Sequence, residues 1–374
     1  MSVTQDVVIL GAGVMGLSVA RRLAAAGARV TVLDPVEPGG QGSRAAAGVA
    51  IPSVRLLDDP DMLAFTRAAH GALAEELASL NDGPSLRRGQ GVLRVAMDAK
   101  GRDALGQKAV NHPEWLGTWM DAARVVELEP ALEGTPILGA FVTEQGFMVD
   151  TEAYLNALLH DLHRRGVKVR LGEGARSVAE VDGGVEVRTE QETHRAGRLV
   201  VCAGAWSGGI AGLPPLPVKP LRGQMLTIFH PEVRLTRVVS GPTYLAPWRT
   251  GEIVVGATEE DAGFACHVTP TGLMHLGATV AKLAPRLREA RFGRAWAGLR
   301  SVTPGGKPLI GRYPGTKAVL IASGHAGQGI LTSALTGRAV AELLEHGRSE
   351  ISAAFEPERV LQSGQDGSVP TKTP

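Results

Sequence analysis

Residues 11–16 of the chain read GAGVMG, and their glycines have the spacing of a turn that binds phosphate groups. Gly11 permits a tight turn, Gly13 lets the backbone approach a pyrophosphate, and Gly16 lets a helix pack closely on a strand. A helix that begins here would add free N–H groups and a partial positive charge. Asp34 ends the next apolar run and could accept hydrogen bonds from ribose hydroxyls. The pattern predicts a dinucleotide site.

The elements around this turn have the order that such a site requires. Residues 5–10 are an apolar, β-branched run typical of a strand that is buried on both faces. Residues 14–26 have a helical pattern that Gly27 closes, and residues 28–33 form a second buried strand. Together they predict a βαβ unit of the Rossmann type.

Two further segments distinguish between the possible dinucleotides. Residues 324–330 (GHAGQGI) form a second glycine-rich turn between a predicted strand and a predicted helix, where a helix N-terminus could stabilise the negative charge of a reduced flavin. Residues 43–48 (SRAAAG) have small side chains that let the backbone follow a pyrophosphate, and Arg44 could supply charge. An NAD enzyme does not need the second turn. The two turns therefore favour FAD.

The rest of the chain alternates between pieces of this α/β unit and a different pattern. Helices are predicted at 59–80, 151–165 and 328–345, strands at 91–97, 167–170, 198–203, 224–229, 253–257 and 318–323, and a hairpin at 176–189. The predicted fold class is α/β, a Rossmann-type FAD domain with an inserted α+β substrate domain built on an antiparallel sheet. The FAD domain is predicted at 1–85, 150–213 and 305–350, the substrate domain at 86–149 and 214–304, and a disordered tail at 361–374.

Composition excludes several classes of function. The 374 residues include 39 Lys and Arg against 38 Asp and Glu, so no basic excess indicates a nucleic acid or an anionic membrane as partner. No run approaches the roughly 18 apolar residues that a membrane span needs. The only two cysteines, Cys202 and Cys266, are far apart, which predicts no metal site, no disulfide framework and a cytoplasmic location.

Seven motifs occur in one order along the chain: VVILGAGVMGLSVARRLA, SRAAAGV, LVVCAGAWS, PVKPLRGQML, YLAPWRTGEIVVGAT, AWAGLRSVTPGGKPLIG and IASGHAGQGI. With them, roughly residues 5–345 resemble the FAD-dependent amine oxidases of the D-amino acid oxidase superfamily, and within it most of all the bacterial glycine oxidases. The resemblance implies the FAD-domain type called GR2 and a substrate domain that covers one face of the flavin ring.

The resemblance also implies roles for particular residues. Arg300 matches the arginine that binds the substrate carboxylate, and Tyr244 matches a tyrosine that closes the same site. The alternatives are an ordinary surface or interdomain ion pair for Arg300 and, for Tyr244, a packed strand aromatic whose hydroxyl bonds to the backbone. His325 and Gly327 belong to the second glycine-rich turn, residues 324–330, which is called the flavin turn below. His325 is equally compatible with a hydrogen-bonded structural role. The predicted cofactor-binding residues are Gly11, Gly13, Val14, Met15, Gly16, Asp34, Ser43, Arg44, Ala46, Ala47, Gly48, Val49, Ala175, Ala203, Gly204, Trp206, Gly324, Gly327, Gln328, Gly329, Ile330 and Leu331.

One departure from the glycine oxidase pattern lies in the flavin turn. Glycine oxidases carry an arginine after a His-aromatic pair, whereas this chain has Ala326 and Gly327 there. The change favours a roomier pocket and a larger D-amino acid or a sarcosine-like substrate. No histidine occupies the SRAAAGV segment and Cys202 lies in a predicted buried strand, so the FAD is expected to be non-covalent.

The implied reaction is hydride transfer from the substrate Cα to flavin N5, followed by reoxidation with dioxygen to give hydrogen peroxide. The expected substrate is glycine, sarcosine or a D-amino acid, and the expected assembly is a homo-oligomer. One alternative is a dehydrogenase of the same superfamily that passes electrons to a quinone or a protein. Another is a flavin-dependent tRNA-modifying or non-catalytic flavin-binding protein, which the near-neutral charge disfavours.

Overall fold

The computed structural model describes residues 6–81, 83–351 and 353–362, and this part of the chain forms nine α-helices. They are α1 (Val14–Ala25), α2 (Pro60–Ser79), α3 (Ala99–Asn111), α4 (Pro113–Leu116), α5 (Ala122–Leu128), α6 (Thr151–Arg164), α7 (Pro270–Leu283), α8 (Gly329–His346) and α9 (Arg359–Gln362). None of these helices combines the length and the apolar character that a bilayer-spanning segment needs.

Twenty β-strands complete the regular structure of the described residues. They are β1 (Asp6–Leu10), β2 (Arg29–Asp34), β3 (Val49–Ala50), β4 (Arg87–Arg88), β5 (Val92–Ala96), β6 (Thr118–Asp121), β7 (Gly139–Thr143), β8 (Phe147–Val149), β9 (Lys168–Leu171), β10 (Ser177–Val181), β11 (Gly184–Arg188), β12 (Thr193–Ala196), β13 (Arg198–Val201), β14 (Lys219–Phe229), β15 (Val238–Ser240), β16 (Tyr244–Pro247), β17 (Glu252–Gly256), β18 (Arg291–Val302), β19 (Leu309–Arg312) and β20 (Val319–Ser323).

The first large sheet has the strand order β19-β20-β13-β1-β2-β9 and contains the predicted βαβ unit at its centre. All its neighbouring strands are parallel except β19, which pairs antiparallel with β20. Alternate residues of β1 point to opposite faces, so Val7 and Ile9 pack with α1, α2, α6 and α8, while Val8 and Leu10 pack with the small sheet β10-β11-β12. Burial of both faces explains the continuous apolar runs in the sequence.

The second large sheet has the order β18-β14-β17-β16-β15-β5-β7-β6. Helices α5 and α7 cover one of its faces through an apolar core, and the other face is turned toward the segment that follows β2. The predicted antiparallel arrangement is correct for every neighbouring pair except β15 and β5, which run parallel. The parallel pair arises because β5 and β15 lie far apart in the chain, so no hairpin dictates their relative direction.

The strands of the two large sheets lie within the segments predicted for the FAD domain and the substrate domain, respectively. The limits of the two domains stay a prediction. Sequence patterns did not predict α3, α5 and α7, and the runs 224–229 and 253–257 belong to the longer β14 and β17. Of the predicted disordered tail, residues 361–362 form the end of α9, which corrects that part of the prediction, and residues 363–374 lie outside the described residues.

Candidate functional site

The turn between β1 and α1 requires glycine because backbone groups approach it closely. Gly11 has a φ of +106°, and its N–H donates to the carbonyl oxygen of Leu33 at 2.8 Å. A Cβ on Gly11 would lie 2.8 Å from the carbonyl carbon of Cys202, and one on Gly16 would collide with the carbonyl group of Gly11. The turn therefore presents the N-terminus of α1 to the space beyond β1 and β2.

Asp34 holds this turn in place. Its Oδ2 accepts the N–H of Ala12 at 2.7 Å, its Oδ1 accepts the N–H of Val36 at 3.0 Å, and the side chain is buried. Each carboxylate oxygen can accept more than one hydrogen bond, so the predicted contact with ribose hydroxyls stays a prediction. Ser43 also stabilises the turn through a hydrogen bond, because its Oγ accepts the N–H of Val14 at 3.0 Å.

A cavity of about 1710 Å³ extends from this turn across the face of the second large sheet. It exceeds the roughly 300–1,000 Å³ of ordinary small-molecule pockets, so it has room for a dinucleotide and a substrate. The predicted site residues that line it are Gly11, Gly13, Val14, Met15, Asp34, Ser43, Ala46, Ala47, Gly48, Val49, Ala175, Ala203, Gly204, Trp206, Tyr244, Arg300, His325, Gly327, Gln328, Gly329 and Ile330.

Four predicted cofactor-binding residues do not line the cavity. Gly16 lies behind the turn against Gly11, and Gly324 has a φ of +82° in the bend that follows β20. Leu331 is fully buried in the core beneath α8. The guanidinium of Arg44 faces the carboxylates of Glu37 and Glu152, at 3.6 and 3.8 Å. Gly16 and Gly324 therefore contribute to the geometry of the turns, Leu331 to core packing and Arg44 to ion pairing.

The carboxylate-gripping candidates lie on the cavity face of the second sheet. One row of paired residues runs across the strands from Tyr244 through Gly256 and Met225 to Trp296. The hydroxyl of Tyr244 donates to Sδ of Met225 at 3.3 Å. Burial raises the pKa of Tyr244 to about 12, although the nearby charge of Arg300 acts in the opposite direction, so the hydroxyl keeps its proton at neutral pH.

Arg300 is half-buried at the carboxyl end of β18. Its Nη1 donates to the carbonyl oxygen of Thr258 at 3.1 Å, and within the described part of the chain it pairs with no carboxylate. The predicted alternative for Arg300, a surface or interdomain ion pair, therefore has no carboxylate partner among the described residues. The remaining donors of the guanidinium are available to an anion in the cavity.

Strand β18 also contacts the segment that precedes β3. The indole Nε1–H of Trp296 donates to the carbonyl oxygen of Ala45 at 3.0 Å, and the N–H of Leu299 donates to the carbonyl oxygen of Gln41 at 2.8 Å. A Cβ on Gly298 would lie 2.5 Å from Cβ of Ala45. The SRAAAG segment is thus fastened between the two large sheets.

The flavin turn combines a buried histidine with unusual backbone. Nε2 of His325 lies 3.1 Å from Oγ1 of Thr336, and burial lowers the pKa of His325 to about 3, so the ring is neutral. Among the described residues, Ala326 is the non-glycine residue with a positive φ, at +48°. Such strain occurs preferentially at functional sites. Gln328 lines the cavity, and its Oε1 is buried with no hydrogen-bond partner in the part of the chain that the structure describes.

Sequence reasoning did not single out Gly223 and Gly256, which line this cavity, or Trp296, which lies outside its lining. Gly223 and Gly256 leave room for the side chains of Arg300 and Tyr244, and Trp296 binds the SRAAAG segment. The sequence did carry a signal for these three residues, because each lies in one of the motifs on which the family resemblance rests. Arg94 also lines the cavity, and its signal was a charged residue inside an apolar strand.

Comparison with known proteins agrees with this arrangement. The model of a family described as "FAD dependent oxidoreductase" matches residues 6–343. A glycine oxidase of Bacillus licheniformis is 30% identical over 363 residues, which are 95% of this chain and 97% of that protein. A bifunctional ThiO/ThiG protein of a Nostoc species is 30% identical over 93% of this chain, and the chain spans about half of that protein's length, 54%.

A solved structure shows the same fold. The crystal structure of glycine oxidase from Geobacillus kaustophilus superposes with a TM-score of 0.84 at 27% identity, covering 94% of this chain and 98% of that one. The family match spans both large sheets and both glycine-rich turns. With a Rossmann-type sheet, a glycine turn at the N-terminus of α1 and a second sheet closing the cavity, the chain belongs to the family of FAD-dependent oxidoreductases.

Proposed function

We propose that the protein oxidises the C–N bond of a small amino acid and uses FAD as the electron acceptor. The observation that carries the proposal is the position of Arg300 and Tyr244. Both lie on the cavity face of the second sheet, and the same cavity reaches the two glycine-rich turns. The relatives named glycine oxidase support the same substrate class.

The cavity has the features that FAD requires. The turn at Gly11 would receive the pyrophosphate, residues 43–48 would follow it, and the N-terminus of α8 would face the flavin. The unpaired Oε1 of Gln328 offers an acceptor to a bound group. The FAD held by these residues would supply a two-electron acceptor for the amine, with dioxygen as the proposed final acceptor. Non-covalent binding is supported by Cys202, which is buried and whose thiol pKa is raised by burial.

Arg300 would bind the substrate carboxylate. A guanidinium binds a carboxylate through two parallel hydrogen bonds, so it sets orientation as well as affinity. One donor of Arg300 is held by the carbonyl oxygen of Thr258, which positions the group. Because no carboxylate of residues 6–81, 83–351 or 353–362 pairs with Arg300, an incoming anion does not have to displace one of these.

Tyr244 would donate its hydroxyl to the same carboxylate. Its present acceptor, Sδ of Met225, is a weak one, and the raised pKa keeps the phenol protonated. The buried, neutral His325 makes its hydrogen bond to Thr336, so the proposal gives it a structural role in the flavin turn. These residues would then act by orienting the substrate and by electrostatic stabilisation.

The test measures peroxide release by the purified FAD-loaded protein with glycine, sarcosine, D-alanine, D-proline and larger D-amino acids. Arg300→Ala should raise KM roughly 30- to 1,000-fold, equivalent to ~2–4 kcal/mol of lost charged hydrogen bonding, with the FAD content unchanged. Arg291→Ala, an exposed arginine on the same strand, is the matched control and should behave as the unmodified protein.

Each outcome of this test has a distinct meaning. Flavin bleaching without peroxide would move the assignment to a dehydrogenase with a quinone or protein acceptor. Unchanged kinetics in Arg300→Ala would contradict the role of Arg300, and bleaching by no amino acid would overturn the proposed function. The choice between glycine and a larger D-amino acid, the homo-oligomeric assembly and the cytoplasmic location stay predictions.

A further inference from the structure

Arg94 is a buried cation that lines the cavity but has no role in the function proposed above. It is on β5, is 3% exposed, and its Nη1 donates to the carbonyl oxygen of Trp115 at 2.7 Å. Within the described residues no carboxylate pairs with its guanidinium and no aromatic ring lies beneath it. A buried charge without a counter-charge is costly, so this arrangement needs an explanation.

The free donors of Arg94 face open space. Nε and Nη2 of Arg94 make no hydrogen bond to the described part of the protein. Neither atom is completely enclosed by protein, so each retains some accessible surface. Because the residue is buried apart from its contribution to the cavity wall, these donors open into the cavity. Burial lowers the pKa of Arg94 to about 10, which still leaves the group charged at neutral pH.

Strand register gives the position of Arg94 relative to Tyr244. Arg94 pairs with Ser240 on β15, and Ser240 pairs with Tyr244 on β16. The side chains of residues paired in one row point to the same face, so Arg94 and Tyr244 share the cavity face, about 10 Å apart at their Cα atoms. Tyr244 points away from Arg94, toward Met225 and the strand beneath the guanidinium of Arg300.

Arg94 and Arg300 therefore lie far apart along the cavity face of the sheet. Arg300 lies over Gly223 on β14, four strands from β5, which corresponds to roughly 19 Å between the Cα atoms of Gly223 and Arg94. One small carboxylate cannot contact both guanidinium groups. A ligand that contacts both must carry two anionic groups on an extended skeleton.

Other charged residues that line the cavity do not replace such a ligand. Arg55 is exposed and pairs with Glu259 at 3.1 Å. Asp98 is exposed, and its side chain caps α3 by accepting the N–H of Gly101. Lys282 is exposed. Among the described cations of this region, Arg94 is the one that is buried without an anionic partner.

We infer that Arg94 binds a second carboxylate at the far end of the substrate, so that the preferred substrates are amino acids whose side chain or N-substituent ends in an acid group. The inference rests on the proposed function, because Arg300 must hold the first carboxylate. The second carboxylate would supply the missing counter-charge of Arg94, and the length of the connecting chain would set the selectivity.

The experiment compares substrates of matched length with and without a terminal charge. The pairs are D-glutamate with D-glutamine, D-2-aminoadipate with D-norleucine, and D-2-aminopimelate with D-2-aminoheptanoate. We expect at least a tenfold preference in kcat/KM for the acidic member of one of the two longer pairs. Arg94→Met, which removes the charge and keeps an apolar side chain, should abolish the preference by lowering kcat/KM for the acidic member far more than for the neutral one.

Two further variants separate recognition from structure. Arg55→Met removes an exposed cation from the wall of the same cavity and should keep the preference. Arg94→Lys retains a charge and should keep part of the preference, and it also serves if Arg94→Met does not fold. Equal kcat/KM within every pair in the unmodified protein would overturn the inference, as would an equal loss on both members in Arg94→Met. Oxidation of neutral amino acids alone would leave the proposed function intact, whereas flavin bleaching by no amino acid would overturn both.

Discussion

Gly223 lies directly beneath the guanidinium of Arg300, so that a Cβ atom on residue 223 would be 2.7 Å from both Cζ and Nη2 of that arginine. The two residues are on neighbouring strands, β14 and β18, and the missing side chain creates the space that the guanidinium occupies. Gly256 has the same relation to Tyr244, whose hydroxyl would lie 2.7 Å from an added Cβ. The proposed carboxylate site is thus shaped by two absent side chains.

Gly223→Ala should displace the Arg300 guanidinium and raise KM about tenfold or more, with the FAD content unchanged. The reason is steric, because overpacking of about 1–3 kcal/mol would fall on the group that binds the substrate carboxylate. Steady-state kinetics and the flavin absorbance of the purified variant measure the two quantities. Gly277→Ala on α7 is the control, since its Cβ would meet nothing within 4 Å. A KM equal to that of the control would show that Arg300 is not positioned in this way.

Asp34→Asn should weaken FAD binding by about 10- to 100-fold. Each oxygen of Asp34 accepts a backbone N–H, and an amide would direct its NH₂ group at one of these donors, with a loss of roughly 1.5–3 kcal/mol. Fluorescence titration of the apoprotein with FAD gives the dissociation constant. Asp121→Asn, which alters an exposed carboxylate that caps α5, should leave it unchanged. An unaltered constant in Asp34→Asn would argue that the turn holds its shape without the carboxylate.

Trp296→Phe should lower FAD affinity by about 3- to 10-fold. The substitution keeps an aromatic ring but removes the hydrogen bond to Ala45, which is worth ~0.5–1.5 kcal/mol and fastens the SRAAAG segment. Fluorescence titration of the apoprotein with FAD measures this loss of affinity. Trp119→Phe, at the opposite edge of the second large sheet, is the control. If both variants bind FAD equally well, the segment does not depend on β18 for its order.

His325 should make stability depend on pH below neutrality. Its folded pKa, about 3, lies below the ordinary value of 6.5, so its contribution to stability is complete above pH 6.5 and is lost as the pH falls toward 3. Between these pH values the unfolded chain binds one proton more than the folded chain. The unfolding free energy therefore falls with acid by up to ~1.4 kcal/mol per pH unit. Urea unfolding at several pH values measures it.

The comparison uses His325→Gln and His346→Gln, an exposed residue at the end of α8. The first variant should show a shallower fall of the unfolding free energy with acid, and the second should match the unmodified protein. The pKa of His70 is also lowered, chiefly by burial, so some dependence should persist in both. Identical slopes in all three proteins would contradict a buried neutral ring at position 325.

Local pattern was enough to predict the elements around the dinucleotide turn. The strand at 5–10, the helix at 14–26 and the strand at 28–33 agree with β1, α1 and β2 to within one or two residues. Hydrophobic period and glycine spacing are properties of neighbouring residues, so they survive in a single sequence. The hairpin of β10 and β11 was predicted for the same reason.

The amino-acid sequence by itself therefore determined the Rossmann-type unit, the glycine turns and, through its motifs, the roles expected of Arg300 and Tyr244. Only the tertiary structure decided which residues share the cavity. It placed Arg94 in one row with Tyr244 through the parallel pairing of β5 and β15, and it set Gly223 beneath Arg300. These contacts join residues that are distant in the chain, and strand order and register, which create them, are not encoded in any local pattern.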